Sequence, residues 1–188
     1  MNPPSINEVS GYLTGVFKMV QGDDAGLRNL DLSTDGFWRS FWALIYSIPA
    51  FCVIWAAERR LRLQADSTLE LGTSAFARDF VVEILTIAVV LLVVAMLARP
   101  MGIADRFAHW VISTNWLTLP VIYVVASVHL AASSVAGGEL FFLIASIATL
   151  VVYFRVYRVA LAGDGMLAFM VLMIALCIEI FITIAAGS

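Results

Sequence analysis

Glu83, His129 and Glu179 are the residues of this 188-residue chain whose chemistry fits worst with their apolar surroundings. A carboxylate facing hydrocarbon is costly, so an acidic residue in such a run faces protein or a water-filled space. Two neighbouring carboxyls in a low dielectric share a proton, and histidine changes charge near neutral pH. Ala168, Ala175, Glu179, Thr183 and Ala186 fall along one helical stripe, and small residues at that spacing admit a second helix. His129 shares another stripe with Asn115, Thr118, Ile122 and Ala126. The three titratable residues are expected to line one polar cavity in the outer half of a bilayer. At about 1.5 Å per residue, Glu179 is placed deepest, Glu83 next and His129 nearest the surface. Such a cavity suits a proton-coupled carrier or a proton relay.

A purely structural alternative stands beside it. Arg78, Arg59 or Arg60 could neutralise Glu83, His129 could sit at the interface, and Glu179 could be protonated and hydrogen-bonded between helices. Neither H-x-x-x-H nor E-x-x-H occurs, so no metal is expected. Cys52 and Cys177 lie in separate apolar runs and read as packed thiols. No nucleophile elbow, phosphate loop, dinucleotide fingerprint or haem-attachment motif appears, and no sizeable extramembrane domain is visible. The expectation is a protein that is not an enzyme, with no catalytic residues and no cofactor.

The elements that position these residues follow from hydropathy. The chain is 62% hydrophobic and 13% charged, against about 25% charged in an average soluble domain. Its natural solvent is therefore lipid. Five apolar segments, about 37–57, 79–98, 108–132, 138–158 and 165–186, each approach the roughly 20 residues that cross a bilayer. The predicted fold is an all-α integral membrane protein of five transmembrane helices, residues 37–188, preceded by residues 1–36. In that leading part, Ser5 and Glu8 form a capping-box pattern for a helix over 5–20, SINEVSGYLTGVFKMV. Ile6, Val9, Leu13, Val16 and Val20 share one face. The helix is amphipathic and too polar to span, so it lies in the membrane interface or packs on the protein's own cytoplasmic face. An acidic connector, 21–36, follows. The longer loop over 58–78 contains LRLQ and LEL runs that alternate and suggest a hairpin.

The segment GFWRSFW opens the first span. Phe37, Trp38, Phe41 and Trp42 mark the headgroup level, where amphipathic rings settle. Arg39 among them reads as an anchor whose long stem lets the guanidinium reach water and lipid phosphate. In the third span Asn115 and Thr118 precede Pro120, which removes a helical hydrogen bond and predicts a kink near Trp116. Broken helices mark binding sites in some transporters; most membrane prolines are structural.

Charge orients the bundle. Lys18, Arg28, Arg39, Arg99, Arg106, Arg155 and Arg158 lie on the N-terminal side, against Arg59, Arg60, Arg62 and Arg78 on the other. The positive-inside rule then puts the N-terminus in the cytoplasm and the C-terminus outside. Arginine dominates over a single lysine, a bias of GC-rich bacterial genomes, which suggests a bacterial inner membrane. The first thirty residues contain no continuous apolar core, so no cleaved signal peptide is expected. The net charge of −3 and the lack of a basic patch argue against nucleic acid as a partner.

An N-terminal segment, five closely spaced spans and a very short tail together resemble the Yip-type family of five-span membrane-trafficking proteins. The resemblance is one of segment order from about residue 20 onward and carries no site residues. The GFWRSF and NWLTLP stretches look like those of small bacterial membrane proteins. The function expected from the sequence is a non-catalytic accessory subunit or scaffold, its partners being the bilayer and other membrane proteins or further copies of itself. The alternative is a small oligomeric transporter or proton-coupled channel using Glu83, Glu179 and His129.

Overall fold

A computed structural model describes residues 2–65, 73–132 and 138–186. Helix α1 spans Ile6–Val20, a 3₁₀ turn spans Asp24–Asn29, and α2 spans Thr34–Ser40. They are followed by α3 Trp42–Ala65, α4 Thr73–Ala98, α5 Phe107–Ala132, α6 Glu139–Ala160 and α7 Gly165–Ala186. No strand occurs among the described residues. Five helical segments are long and apolar enough to cross a membrane: Thr34–Leu63, Phe76–Ala98, Phe107–Ala132, Leu140–Ala160 and Gly165–Ala186.

These agree with the expected spans apart from shifts of up to three residues at some ends and a longer extension at the end of the first. Leu61, Arg62 and Leu63 continue α3 instead of starting a hairpin, and the proposed pairing run at 69–71 lies outside the described residues. Leucine, arginine and glutamine are good helix formers, and a helix already running is extended at one hydrogen bond per residue.

The spanning helices pack in the order α3, α5, α6, α7, α4, with α4 making only slight contact with α3 and α5. The core lies toward the N-terminal side, where Val94, Trp110, Trp116, Val156, Ala160 and Val171 are buried. A smaller cluster of Ala50, Ile54 and Ala126 holds α3 against α5 nearer the other side. Here alanines permit close approach of the two helices.

Helix α1 starts as its sequence predicts. The Ser5 side chain accepts from the Glu8 N–H, and the Glu8 carboxylate accepts from the Ser5 N–H. Its docking differs from the expected stripe. Tyr12, Gly15, Val16 and Met19 are the buried positions, and Ile6 is 88% exposed. Tyr12 stacks at a tilt on Trp116, centroids 4.7 Å apart, and this aromatic anchor rotates the helix away from the simple apolar stripe. A second clamp is the pair Arg39 Nη2 to Glu8 Oε1, at 2.8 Å across 31 residues.

Hydrogen bonds from the Ser5 backbone and hydroxyl, then from Arg39, hold the Glu8 carboxyl down at about 2. A carboxyl depressed on folding stabilises the fold above its ordinary value of 4.5, and that contribution is lost as pH falls through about 2. Acid titration of thermal stability in micelles should show this loss in the parent protein, and Glu8→Gln should remove the acid-dependent part. An identical acid profile in both would exclude the clamp.

Candidate functional site

Each spanning helix turns one narrow face to the bundle, and the titratable residues can be placed against it. On α4, Glu83 shares its face with Val94 and Ala98, both buried. Val81, Ile84, Leu85 and Leu92 lie around the other side and are exposed, as befits lipid-facing residues. Glu83 itself is half-buried. On α7, Glu179 falls on the face that carries Ala168, Val171 and Ile182, all buried, away from the exposed Phe169, Met173 and Ile184. Glu179 is nevertheless exposed. Glu179 thus lies on the packed side of α7 at a level where no neighbouring helix covers it.

Residues 76 to 83 on α4 and 179 to 186 on α7 each cover seven steps from the span ends at Phe76 and Ala186. Both carboxyls therefore lie about 10 Å from the C-terminal side. Neither Glu83 nor Glu179 has an ion-pair or hydrogen-bond partner among the described residues. The arginines that might have neutralised Glu83 are otherwise engaged: Arg78 bonds Asp79, and Arg59 lies over the Phe76 ring at 5.5 Å.

His129 is fixed separately. Its Nδ1 donates to the Val125 carbonyl at 2.9 Å, which leaves Nε2 free to face Glu58 Oε1 at 3.9 Å. Phe142 of α6 packs edge-on against the imidazole, centroids 4.7 Å apart. The structure thus joins His129 to Glu58. Glu58 was not among the residues singled out from sequence, because ERRLR was read as the start of a loop. The signal available was the continuing helical register, which sets Glu58 one turn beyond Ile54.

The hydroxyl of Tyr153 on α6 lies 3.0 Å from Thr118 Oγ1. Tyr157 packs edge-on against both Tyr153 and Trp110. Polar groups thus occur at the His129–Glu58 pair toward the C-terminal side, at Glu83 and Glu179 within the spans, and at the Thr118–Tyr153 pair, next to which Tyr157 packs on Tyr153 and Trp110. No cluster with the separation a metal ion needs occurs among the described residues.

The polar stripe expected on α5 divides. Thr118 turns to α6, whereas Asn115 is buried and its Nδ2 donates to Ser40 Oγ at 2.9 Å. Ser40 in turn donates to the Phe37 carbonyl at 2.7 Å. The α2–α5 contact is thus made by a closed polar chain. Ser40→Ala should leave the buried amide short of a partner and destabilise the bundle by about 1–3 kcal/mol in chemical denaturation. Helix α5 runs without interruption through Pro120, which is exposed. Among the expected anchors, Trp38 is exposed, while Phe37 and Phe41 pack partly on the core. Arg39 engages Glu8, as described above.

Comparison with known family profiles, with curated proteins and with solved structures finds no match for this chain. The chain is an integral membrane protein by the length and composition of its five helices.

Proposed function

We propose that the protein is a small proton-coupled carrier that takes up protons or cations through a cleft on its C-terminal side. The observation that carries this reading is the pair Glu83 and Glu179, both on bundle-facing surfaces and without a counter-ion among the described residues. Acidic side chains within a span are expensive to keep, and facing the interior without a cation they are free to bind one. His129 and Glu58 lie toward the mouth, with His129 Nε2 facing the Glu58 carboxyl at 3.9 Å. Trp110, Tyr153 and Tyr157 pack edge-on toward the other end, an arrangement that suits the closed gate of a carrier. Five helices enclose little space, so the working unit is an oligomer.

The charge bias supports a cytoplasmic N-terminus and an outward-facing cleft in a bacterial inner membrane. The test is proton flux into liposomes that hold a pH-sensitive dye, driven by an imposed membrane potential. Flux above that of protein-free liposomes is expected, and its absence across a panel of co-substrate ions would refute the proposal.

A second reading is favoured by the placement of α4, which leans on α7 and leaves most of its surface open. Such an edge helix suits an accessory subunit or scaffold that completes its packing on another membrane protein. The Yip-type segment order is consistent with that role. Extraction in mild detergent followed by particle mass separates the two. A stoichiometric companion subunit favours the scaffold, and a homo-oligomer favours transport.

A further inference from the structure

Glu83 has aromatic neighbours that a site for protons alone would not need. Phe80 precedes it by three residues on α4, one turn nearer the C-terminal side and a neighbour on the helix surface. Phe80 meets Trp55 of α3 edge-on, with ring planes at 88° and centroids 6.4 Å apart. Trp55 in turn stacks on Phe51, 5.8 Å away. Whichever ring of the Phe80–Trp55 pair presents its edge, Phe80 keeps at least one face uncovered by the other. It is 43% exposed within a spanning segment, so an apolar molecule reaches it from the hydrocarbon.

We propose that the substrate bound at Glu83 is a lipophilic organic cation, its charge met by the carboxyl and its apolar groups laid against Phe80 and Trp55. This rests on the carboxylate reading above and names its substrate class. Three observations support that class. The first is counter-charge: Glu83 has no ion-pair partner among the described residues. The second is the rings. An aromatic face attracts a cation within about 6 Å, and this edge of α4 already holds one, the Arg59 guanidinium over Phe76 at 5.5 Å, one turn before Phe80.

The third is the choice of ligand atoms. A metal ion needs several converging oxygen or nitrogen ligands, and no such cluster occurs among the described residues. An organic cation needs one counter-charge and apolar surface, which is what Glu83, Phe80 and Trp55 supply. The nearby arginines leave this corner to a substrate. Arg59 lies on Phe76 and Arg78 bonds Asp79, both further toward the C-terminal side. Glu83 holds either a proton or the organic cation, so binding of one releases the other.

Purified protein in detergent, titrated with tritiated tetraphenylphosphonium in equilibrium dialysis, should bind it saturably beyond the uptake of protein-free micelles. Tetraphenylborate, an anion of the same shape, should show no such binding. Glu83→Gln should weaken tetraphenylphosphonium binding at least tenfold. Phe80→Leu and Trp55→Leu should each weaken it about three- to thirtyfold, the worth of a cation over a ring. Phe181→Leu, which removes an exposed ring from the lipid face of α7, should bind as the parent does. Circular dichroism verifies that each variant folds. Equal binding by Glu83→Gln and the parent, or by both ring variants and the parent, would overturn the proposal. So would comparable binding of tetraphenylborate, the mark of partition onto apolar surface. A parent protein that carries protons into liposomes but binds no tetraphenylphosphonium would refute the organic cation alone. Absence of both flux and binding would remove the carboxylate reading with it.

Discussion

Replacing Glu83 or Glu179 by glutamine should reduce proton flux into liposomes by at least tenfold while leaving the helical content and particle mass unchanged. Glutamine keeps the size and hydrogen-bonding capacity of glutamate but cannot gain or lose a proton near neutral pH. Neither carboxyl is paired with a cation among the described residues, so the substitution strands no buried counter-charge. The structural cost should therefore be slight, and the functional cost large. A tenfold loss corresponds to about 1.4 kcal/mol, well within what a charge in a low-dielectric site can contribute. If Glu83→Gln and Glu179→Gln carry protons as fast as the parent, the carboxyls belong to packing and the scaffold reading gains.

A large structural effect is expected at Gly26. In the 3₁₀ turn this residue sits against Gly15 of α1, so that the two backbones touch. A Cβ on Gly26 would collide with the Gly15 carbonyl oxygen and come within 2.6 Å of Met19 Cγ. The methionine can move, but the helix backbone cannot without shifting α1 off Trp116. Gly26→Ala should cost about 1–3 kcal/mol or more, as overpacking does. Gly11 supplies the control on the same helix, since a Cβ there meets nothing within 4 Å. Gly11→Ala should stabilise by about 0.5–1 kcal/mol through the higher helix propensity of alanine. Denaturation midpoints of the two variants in one detergent should move in opposite directions, and parallel shifts would exclude the close approach.

Span positions were legible in the sequence because twenty-odd apolar residues in a row have few other uses. The Ser5–Glu8 cap was legible too, being a contact between residues three apart. What stayed hidden depends on distant pairs. Nothing in the local pattern links Glu8 to Arg39, so Arg39 read as a lipid anchor. Asn115 and Thr118 share a helix stripe yet face different neighbours, because α5 is touched by α2 on one flank and α6 on the other. Glu58 was obscured by the cluster of arginines after it, which makes a helix end look like a loop. The inward direction of Glu83 and Glu179 was foreseeable from the cost of exposing a carboxylate to lipid.

The central claim is that Glu83 and Glu179 lie in a cleft reached by water from the C-terminal side. It is tested most directly by cysteine labelling in a background carrying Cys52→Ser and Cys177→Ser, which removes both native thiols, each of them exposed. Single Glu83→Cys and Glu179→Cys variants would be treated in sealed, oriented vesicles with a charged, membrane-impermeant thiol reagent. Ile84→Cys on the lipid-facing side of α4, half-exposed in the structure, serves as the comparison. The account predicts rapid labelling of both glutamate positions from the C-terminal side only, with Ile84→Cys unreactive. Equal inertness at all three positions, or labelling from the N-terminal side, would contradict it.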